Sequence, residues 1–190
     1  MAIVLASQSP RRQELLARIG VEDFKTLSLD IDESYPEGLS PEDTVRYIAK
    51  KKCDAAAALC APDDLIITAD TMVFLDNDRL GKPRDEEDAL RMLRALAGRG
   101  HTVCTGVSVR RGAQEERFAV STRVFFRPAT DDEIRAYIKT GEPMDKAGAY
   151  GVQSRGALFV ERIDGDFFNV MGLPVEQLGL VLARFGVKLL

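Results

Sequence analysis

The sequence predicts an α/β fold, a mixed central sheet with flanking helices, on three observations. Apolar, β-branched runs alternate with segments of helical periodicity. Several strand-like runs follow one another across short polar links, so hairpins join the strand–helix–strand units and the sheet is mixed. No internal repeat, low-complexity tract or linker interrupts the chain, which predicts a single domain over residues 1–190.

The elements follow in order. Ile3 to Ala6 is a short buried strand, and Pro10 to Ile19 a helix with Leu15, Leu16 and Ile19 inward and Gly20 closing it. A second helix begins at "SPED" and runs from Pro41 to about Leu59, with Val45, Ile48, Ala49, Ala56 and Leu59 at helical spacing. "LIITADTMVFL", Leu65 to Leu75, reads as strand, with Asp76-Asn77-Asp78 as its turn. After "GKP", Glu86 to Ala97 forms a third helix ended by Gly98. Strands are expected at "HTVCTGVSV" and "RFAVSTRVFF", and a capping box from Thr130 to Glu133 starts a helix through Lys139. The glycine-rich segment 141–156 is an ordered loop, "GALFVERI" and "FFNVM" form a hairpin around Asp164-Gly165, and a last helix starts at Pro174.

Composition narrows the function. Hydrophobic residues at 45% and charged residues at 29% argue for a packed core and against disorder. A net charge of -4 provides no general basic surface, so nucleic acid is not an expected partner and any phosphate site is local. Cys53, Cys60 and Cys104 are odd in number and lack CxxC spacing, which fits a reducing cytosol. The first apolar run ends at Ala6, too short for a secretory signal, and no later run approaches a membrane span. A cytoplasmic protein without a membrane partner is expected.

Several residues are out of place. Two helix starts, Ser40-Pro41-Glu42-Asp43 and Thr130-Asp131-Asp132-Glu133, carry acids where the helix dipole favours them. Ser9-Pro10-Arg11-Arg12 reverses that charge, which makes sense if an anion such as phosphate sits between the arginines and the helix N-terminus. The bland alternative is a pair of exposed arginines. Asp70 interrupts an apolar strand, where a carboxylate needs a metal, a cation or strong hydrogen bonds unless it faces water at a strand end. Lys52 lies on the apolar face of its helix with Val45 and Ile48, either engaging a charge or snorkelling to water. Lys82 in "GKP" and Glu33 in "DIDESYP" are ordinary alone. His101 is the only histidine, which excludes paired-histidine metal sites and favours a structural role for it. Together these supply cations for a polyphosphate and two carboxylates able to hold a divalent metal and activate water. Without a P-loop or a kinase-type glycine loop, hydrolysis of a nucleotide anhydride is the more natural chemistry.

The ordered blocks "LASQSPRRQELL", "AKKKCDA", "TADTMV", "GKPRDEEDALRML", "AGRGHTVCTGV" and "GEPMDKAGAYGVQSRGALFVERIDGDFFNVMGLP" resemble the Maf family nearly end to end. That family consists of nucleoside triphosphate pyrophosphatases once described as septum-formation inhibitors. The resemblance implies an elongated, two-lobed mixed-sheet fold similar to the inosine triphosphate pyrophosphatases, often homodimeric. It implies attack of water on the α-phosphorus of a nucleoside triphosphate, releasing the monophosphate and pyrophosphate with Mg²⁺ or Mn²⁺. Asp70 would be the general base, Glu33 would join it at the metal, and Lys52 and Lys82 would take part in catalysis; these lysines, Ser7 and Arg12 would hold phosphate oxygens. Arg11, Thr71 and Gln153 match the branch acting on dTTP and UTP, whereas the branch acting on 7-methyl-GTP typically has tryptophan, glutamine and glutamate there. Ser154 departs from the glycine that more commonly follows the glutamine. Two alternatives stay open on sequence: an enzyme of the same fold that removes other modified nucleotides, and a nucleotide-binding regulator of division without essential catalysis.

Overall fold

The computed structural model describes residues 1–76 and 78–190. Asn77, the centre of the expected turn, lies outside the described residues. The chain divides into two compact units. The first comprises Met1–Asp70, Thr105–Val120 and Gly172–Leu190, and the second Thr71–Cys104 and Ser121–Met171.

In the first unit, β1 (Ile3–Leu5) leads into α1 (Pro10–Arg18), β2 (Phe24–Thr26) and α2 (Pro41–Ala57) before β3 (Leu65–Leu75), whose last residues belong to the second unit. Strand β1 pairs in parallel with β2 and with β3, Leu5 lying opposite Thr26 and Ile67. Asp70 stands three residues beyond Ile67, so the carboxyl end of β1 and Asp70 meet at one end of the sheet, where α/β folds commonly place ligands. Helix α2 starts as its sequence dictates, Ser40 Oγ accepting the Asp43 N–H at 3.1 Å. Its buried face, Val45, Ile48, Ala49, Cys53 and Ala56, lies on the sheet. A Cβ at Gly106 would stand 2.3 Å from the Val45 carbonyl carbon, so only glycine there admits the helix backbone this closely.

The second unit holds the end of β3, β4 (Asp78–Leu80) and α3 (Glu86–Leu96). Strands β5 (Gly100–Arg111) and β6 (Gln114–Phe126) each contribute to both units, while α4 (Asp131–Ile138), β7 (Val160–Asp164) and α5 (Phe167–Met171) lie in the second. Helix α6 (Val175–Arg184) closes the first unit. Strand order is β2-β1-β3-β5-β6-β7, with β4 on β3, making a seven-stranded mixed sheet. Helix α3 packs against α4, burying Leu90, Leu93 and Leu96 with Ile134 and Ile138. The capping box at Thr130 and Glu133 is present. Among the described residues no helix is long and apolar enough to cross a membrane.

Two expectations need correction, and two short strands carried no sequence signal. "FFNVM" is helix α5 and not a hairpin strand, since β7 pairs with β6 instead, Arg123 lying opposite Asp164. Asp166 Oδ1 accepts the Phe168 N–H at 2.7 Å, and buried Asn169 donates to the Val103 carbonyl at 3.0 Å and Thr122 Oγ1 at 2.9 Å, drawing the segment onto β5 and β6 as a helical turn. A short apolar run is ambiguous by periodicity alone, and these partners decide it. Segment 141–156, expected as loop, contains the 3₁₀ turns Glu142–Asp145 and Ala147–Ala149, and a third follows at Arg155–Phe159. The three-residue strands β2 and β4 carry too few side chains for a visible period. His101 has the structural role expected, buried with Nε2 2.8 Å from the Tyr150 hydroxyl.

Candidate active site

Residues 66, 68 and 70 of β3 share one face, because side chains alternate along a strand. Ile66 packs with Cys53 and Ala56 of α2, and Thr68 Oγ1 donates to the Ala49 carbonyl at 2.7 Å. Helical side chains lean towards the N-terminus, which carries the Lys52 ammonium back along this face to Asp70. Lys52 Nζ lies 2.7 Å from Asp70 Oδ1 and 2.9 Å from Glu33 Oε1. The side chains of Lys52 and Asp70 are only 14% and 9% exposed, so neither simple snorkelling nor a water-facing strand end describes them. Asp70 Oδ2 is buried and has no hydrogen-bond partner among the described residues. Such an oxygen costs about 1–3 kcal/mol or more unless a ligand takes it. Two carboxylates share this one ammonium.

The first turn of α1 lies in the same unit. Arg12 donates through Nε to the Gly172 carbonyl at 2.8 Å and through a terminal nitrogen to Ser7 Oγ at 3.4 Å. Ser7 Oγ also accepts the Ser9 N–H at 3.2 Å. Burial lowers the Arg12 pKa, the Asp70 carboxylate raises it, Arg11 lowers it and Glu33 raises it. A guanidinium survives this as a cation, being charged at every ordinary pH. The helix start itself differs from the others. Ser40, Asp85 and Thr130 cap α2, α3 and α4 through their side chains, each with acids in the first turn, whereas Ser9 makes no side-chain cap and the first turn of α1 carries no acid. Half-buried arginines thus stand at an N-terminus that already favours anions.

Ser7, Arg11, Arg12, Glu33, Lys52 and Asp70 therefore belong to the first unit, and Thr71, Lys82 and Gln153 to the second. Thr71 follows Asp70 directly on β3 and is half-buried, Lys82 is exposed after β4, and Gln153 is exposed in the loop before the third 3₁₀ turn. Sequence reasoning missed the Gly172 carbonyl, since a backbone acceptor leaves no sequence signal. It also missed Glu142, whose carboxylate gathers the loop around Gln153 and whose "GEP" setting announces nothing.

The donors fit a divalent metal of one kind. Among the described residues no group of three His, Cys, Asp or Glu could hold an ion by itself. Mg²⁺ and Mn²⁺ characteristically use one or two carboxylates and complete their shell with phosphate oxygens and water. The unpartnered Asp70 Oδ2, with Glu33 beside Lys52, suits an ion that arrives shared with a phosphorylated substrate.

Comparison with known proteins places these observations in a family. The Maf-like protein family model matches residues 2–185. The chain is 47% identical over 186 residues to the dTTP/UTP pyrophosphatase of Bacillus velezensis, covering 98% of this chain and 97% of the relative. It is 47% identical over 191 residues to the enzyme of the same name from Dictyoglomus turgidum, covering 99% and 98%. Among solved structures, a HAM1 protein from Coxiella burnetii matches with a TM-score of 0.56 at 14% identity, over 97% of this chain and 99% of that one. The Staphylococcus aureus Ham1 protein gives a TM-score of 0.54 at 14% identity, over 97% and 100%. At that identity the two structures speak for the fold alone, a mixed α/β fold as the sequence predicts.

Proposed function

The chain belongs to the Maf-like protein family, and from that premise we propose that it hydrolyses dTTP and UTP to the nucleoside monophosphate and pyrophosphate. The observation that carries the reading is the Lys52–Asp70 pair, with one carboxylate oxygen held at 2.7 Å and the other buried without a hydrogen-bond partner among the described residues. Holding Oδ1 fixes the carboxylate plane, so Oδ2 presents a lone pair in a set direction. That is the arrangement a general base needs.

In the proposed reaction Asp70 Oδ2 accepts a proton from water as the water oxygen bonds to the α-phosphorus. The bond from that phosphorus to the oxygen bridging the β-phosphate breaks, and the electron pair leaves with pyrophosphate. Charge grows on the phosphoryl oxygens and on the leaving group. Arg12, fixed through Gly172 and Ser7, supplies a preorganised cation to hold them. Arg11 and Lys82 would add further positive charge. Lys52 holds Asp70 oriented through Oδ1. Glu33 and the second lone pair of Asp70 Oδ2 would hold a divalent metal, which when bound would neutralise phosphate charge and acidify water. Arg11, Thr71 and Gln153 set base preference; a neutral amide such as Gln153 can pair with a pyrimidine edge, whereas a carboxylate suits the cationic methylated guanine.

A cytoplasmic setting and a homodimer belong to the same proposal. The three cysteines, Cys53, Cys60 and Cys104, odd in number, support the first, and light scattering of the purified chain tests the second. The deciding experiment is pyrophosphate release from dTTP, UTP, CTP, 7-methyl-GTP and ITP with Mg²⁺ or Mn²⁺, wild type beside Asp70→Asn. Turnover of dTTP and UTP that falls about a thousandfold in the folded variant supports the reading. Turnover of another base alone, or none, overturns it.

A further inference from the structure

The loop carrying Gln153 is closed on itself and pinned from one side. A Cβ at Gly156 would stand 2.6 Å from the Gly151 carbonyl oxygen and 2.8 Å from the Tyr137 hydroxyl, so the two ends of segment 151–156 touch backbone to backbone. The Gly151 N–H donates to the Tyr137 hydroxyl at 3.1 Å, which in turn donates to Glu142 Oε1 at 2.8 Å. The other side of the loop converges on the same carboxylate: Ser154 Oγ at 2.6 Å, the Gly156 N–H at 3.2 Å and the Arg155 N–H at 3.3 Å. Burial pushes the Glu142 carboxyl up, but the hydrogen bonds from Ser154, Tyr137, Gly156 and Arg155 outweigh it and hold it below its ordinary value. Lys146 completes the frame. Its ammonium donates to the Glu142 carbonyl at 2.7 Å, and its stem lies where a Gly151 Cβ would come within 2.8 Å of Cε. Gln153 is the exposed residue directly before Ser154, at the turn of this closed loop.

We propose that Glu142 and Ser154 form a latch that fixes the Gln153 loop and so acts as a positioning pair for base selectivity. The inference rests on the reading of Gln153 as a base-contacting residue. A glycine at position 154 would have no hydroxyl to close this latch, so the Ser154 side chain itself supplies the tether. A carboxylate with several donors from one loop restricts it far more than a single bond would, because each donor fixes a different backbone point. Glu142 itself touches no reacting atom.

The test compares kcat and KM for dTTP, UTP and CTP in the full-length protein for wild type, Gln153→Ala, Ser154→Gly, Glu142→Gln and Glu142→Ala. Thermal midpoints identify variants that remain folded. A loosened loop misplaces the base contact, and Glu142→Ala and Ser154→Gly should then raise KM for dTTP and UTP about tenfold and about threefold, with kcat little changed. The ratio of kcat/KM between UTP and CTP should fall with them. Glu142→Gln keeps an acceptor for Ser154 or Tyr137 but loses the second carboxylate oxygen, so it should restore part of the ratio. A merely structural role lowers the thermal midpoint and leaves the ratio where it was. Should Gln153→Ala change the ratio while folded Ser154→Gly and Glu142 variants keep the wild-type value, the latch is wrong and the Gln153 assignment survives. Should Gln153→Ala itself leave the ratio unchanged, the base-contact reading fails and takes the latch with it. Ser154→Gly serves as the decisive variant if Glu142→Ala does not fold.

Discussion

Lys52 reaches from α2 to hold Asp70 Oδ1 at 2.7 Å, joining a misplaced cation to a misplaced carboxylate. Each residue violates the apolar pattern of its own element, and each resolves the other's cost. Replacing Lys52 by Met takes the paired ammonium from the largely buried Asp70 carboxylate. The expected loss is about 3 kcal/mol of stability, read as a lower urea midpoint, together with about a hundredfold fall in turnover. In the Lys52→Met, Asp70→Asn double variant the stability losses should not add, since the second change removes the charge that the first exposes.

Arg12 offers a separate test of the first turn of α1. Lysine retains the charge but cannot donate both to the Gly172 carbonyl and to Ser7 Oγ with the planar geometry of a guanidinium. Arg12→Lys should therefore raise KM for dTTP about tenfold while kcat changes less, as expected for a substrate-holding cation. A wild-type KM in the folded variant would remove Arg12 from the phosphate site.

Gly106 controls the position of Lys52 from a distance. An added methyl group meets the Val45 carbonyl carbon and oxygen at 2.3 Å and the Arg46 nitrogen at 2.6 Å, all main-chain atoms that cannot rotate away. Gly106→Ala should cost about 3 kcal/mol and lower turnover as well, because α2 must lift from the sheet. Unchanged melting and activity would show that this contact is not close in solution.

His101 predicts a pH dependence of stability. Burial lowers its pKa to about 4 from the ordinary histidine value of 6.5, and its Nδ1 has no hydrogen-bond partner among the described residues. The unfolded chain binds this proton first as pH falls, so its stability contribution is full above about 6.5 and declines towards pH 4, by about 3 kcal/mol at most. His101→Gln keeps a partner for the Tyr150 hydroxyl and removes the titration. Urea midpoints measured between pH 7 and 4.5 should fall more steeply in wild type than in this variant.

Local patterning made much of the fold legible. The helices from Pro41 and Glu86 and the Thr130 capping box carry strong periodicity and explicit start signals, and β3 spans Leu65–Leu75 as its apolar run dictates. The same signals fail where an element is short. "FFNVM" has no period of its own, and the buried hydrogen bond from Asn169 with the exposed one accepted by Asp166 chooses helix for it.

By itself the sequence determined which residues are anomalous: arginines at an anion-favouring helix start, a carboxylate inside an apolar strand and a lysine on an apolar helix face. It could do so because each anomaly is a local conflict between charge and burial. Only the tertiary structure decided how the conflicts resolve. It gave Asp70 a cation on one oxygen and left the other without a hydrogen-bond partner among the described residues, tied Arg12 to a carbonyl 160 positions away, and gathered the Gln153 loop onto Glu142. Those outcomes depend on contacts between segments distant in the chain, made through backbone atoms and side-chain reach that no local pattern records.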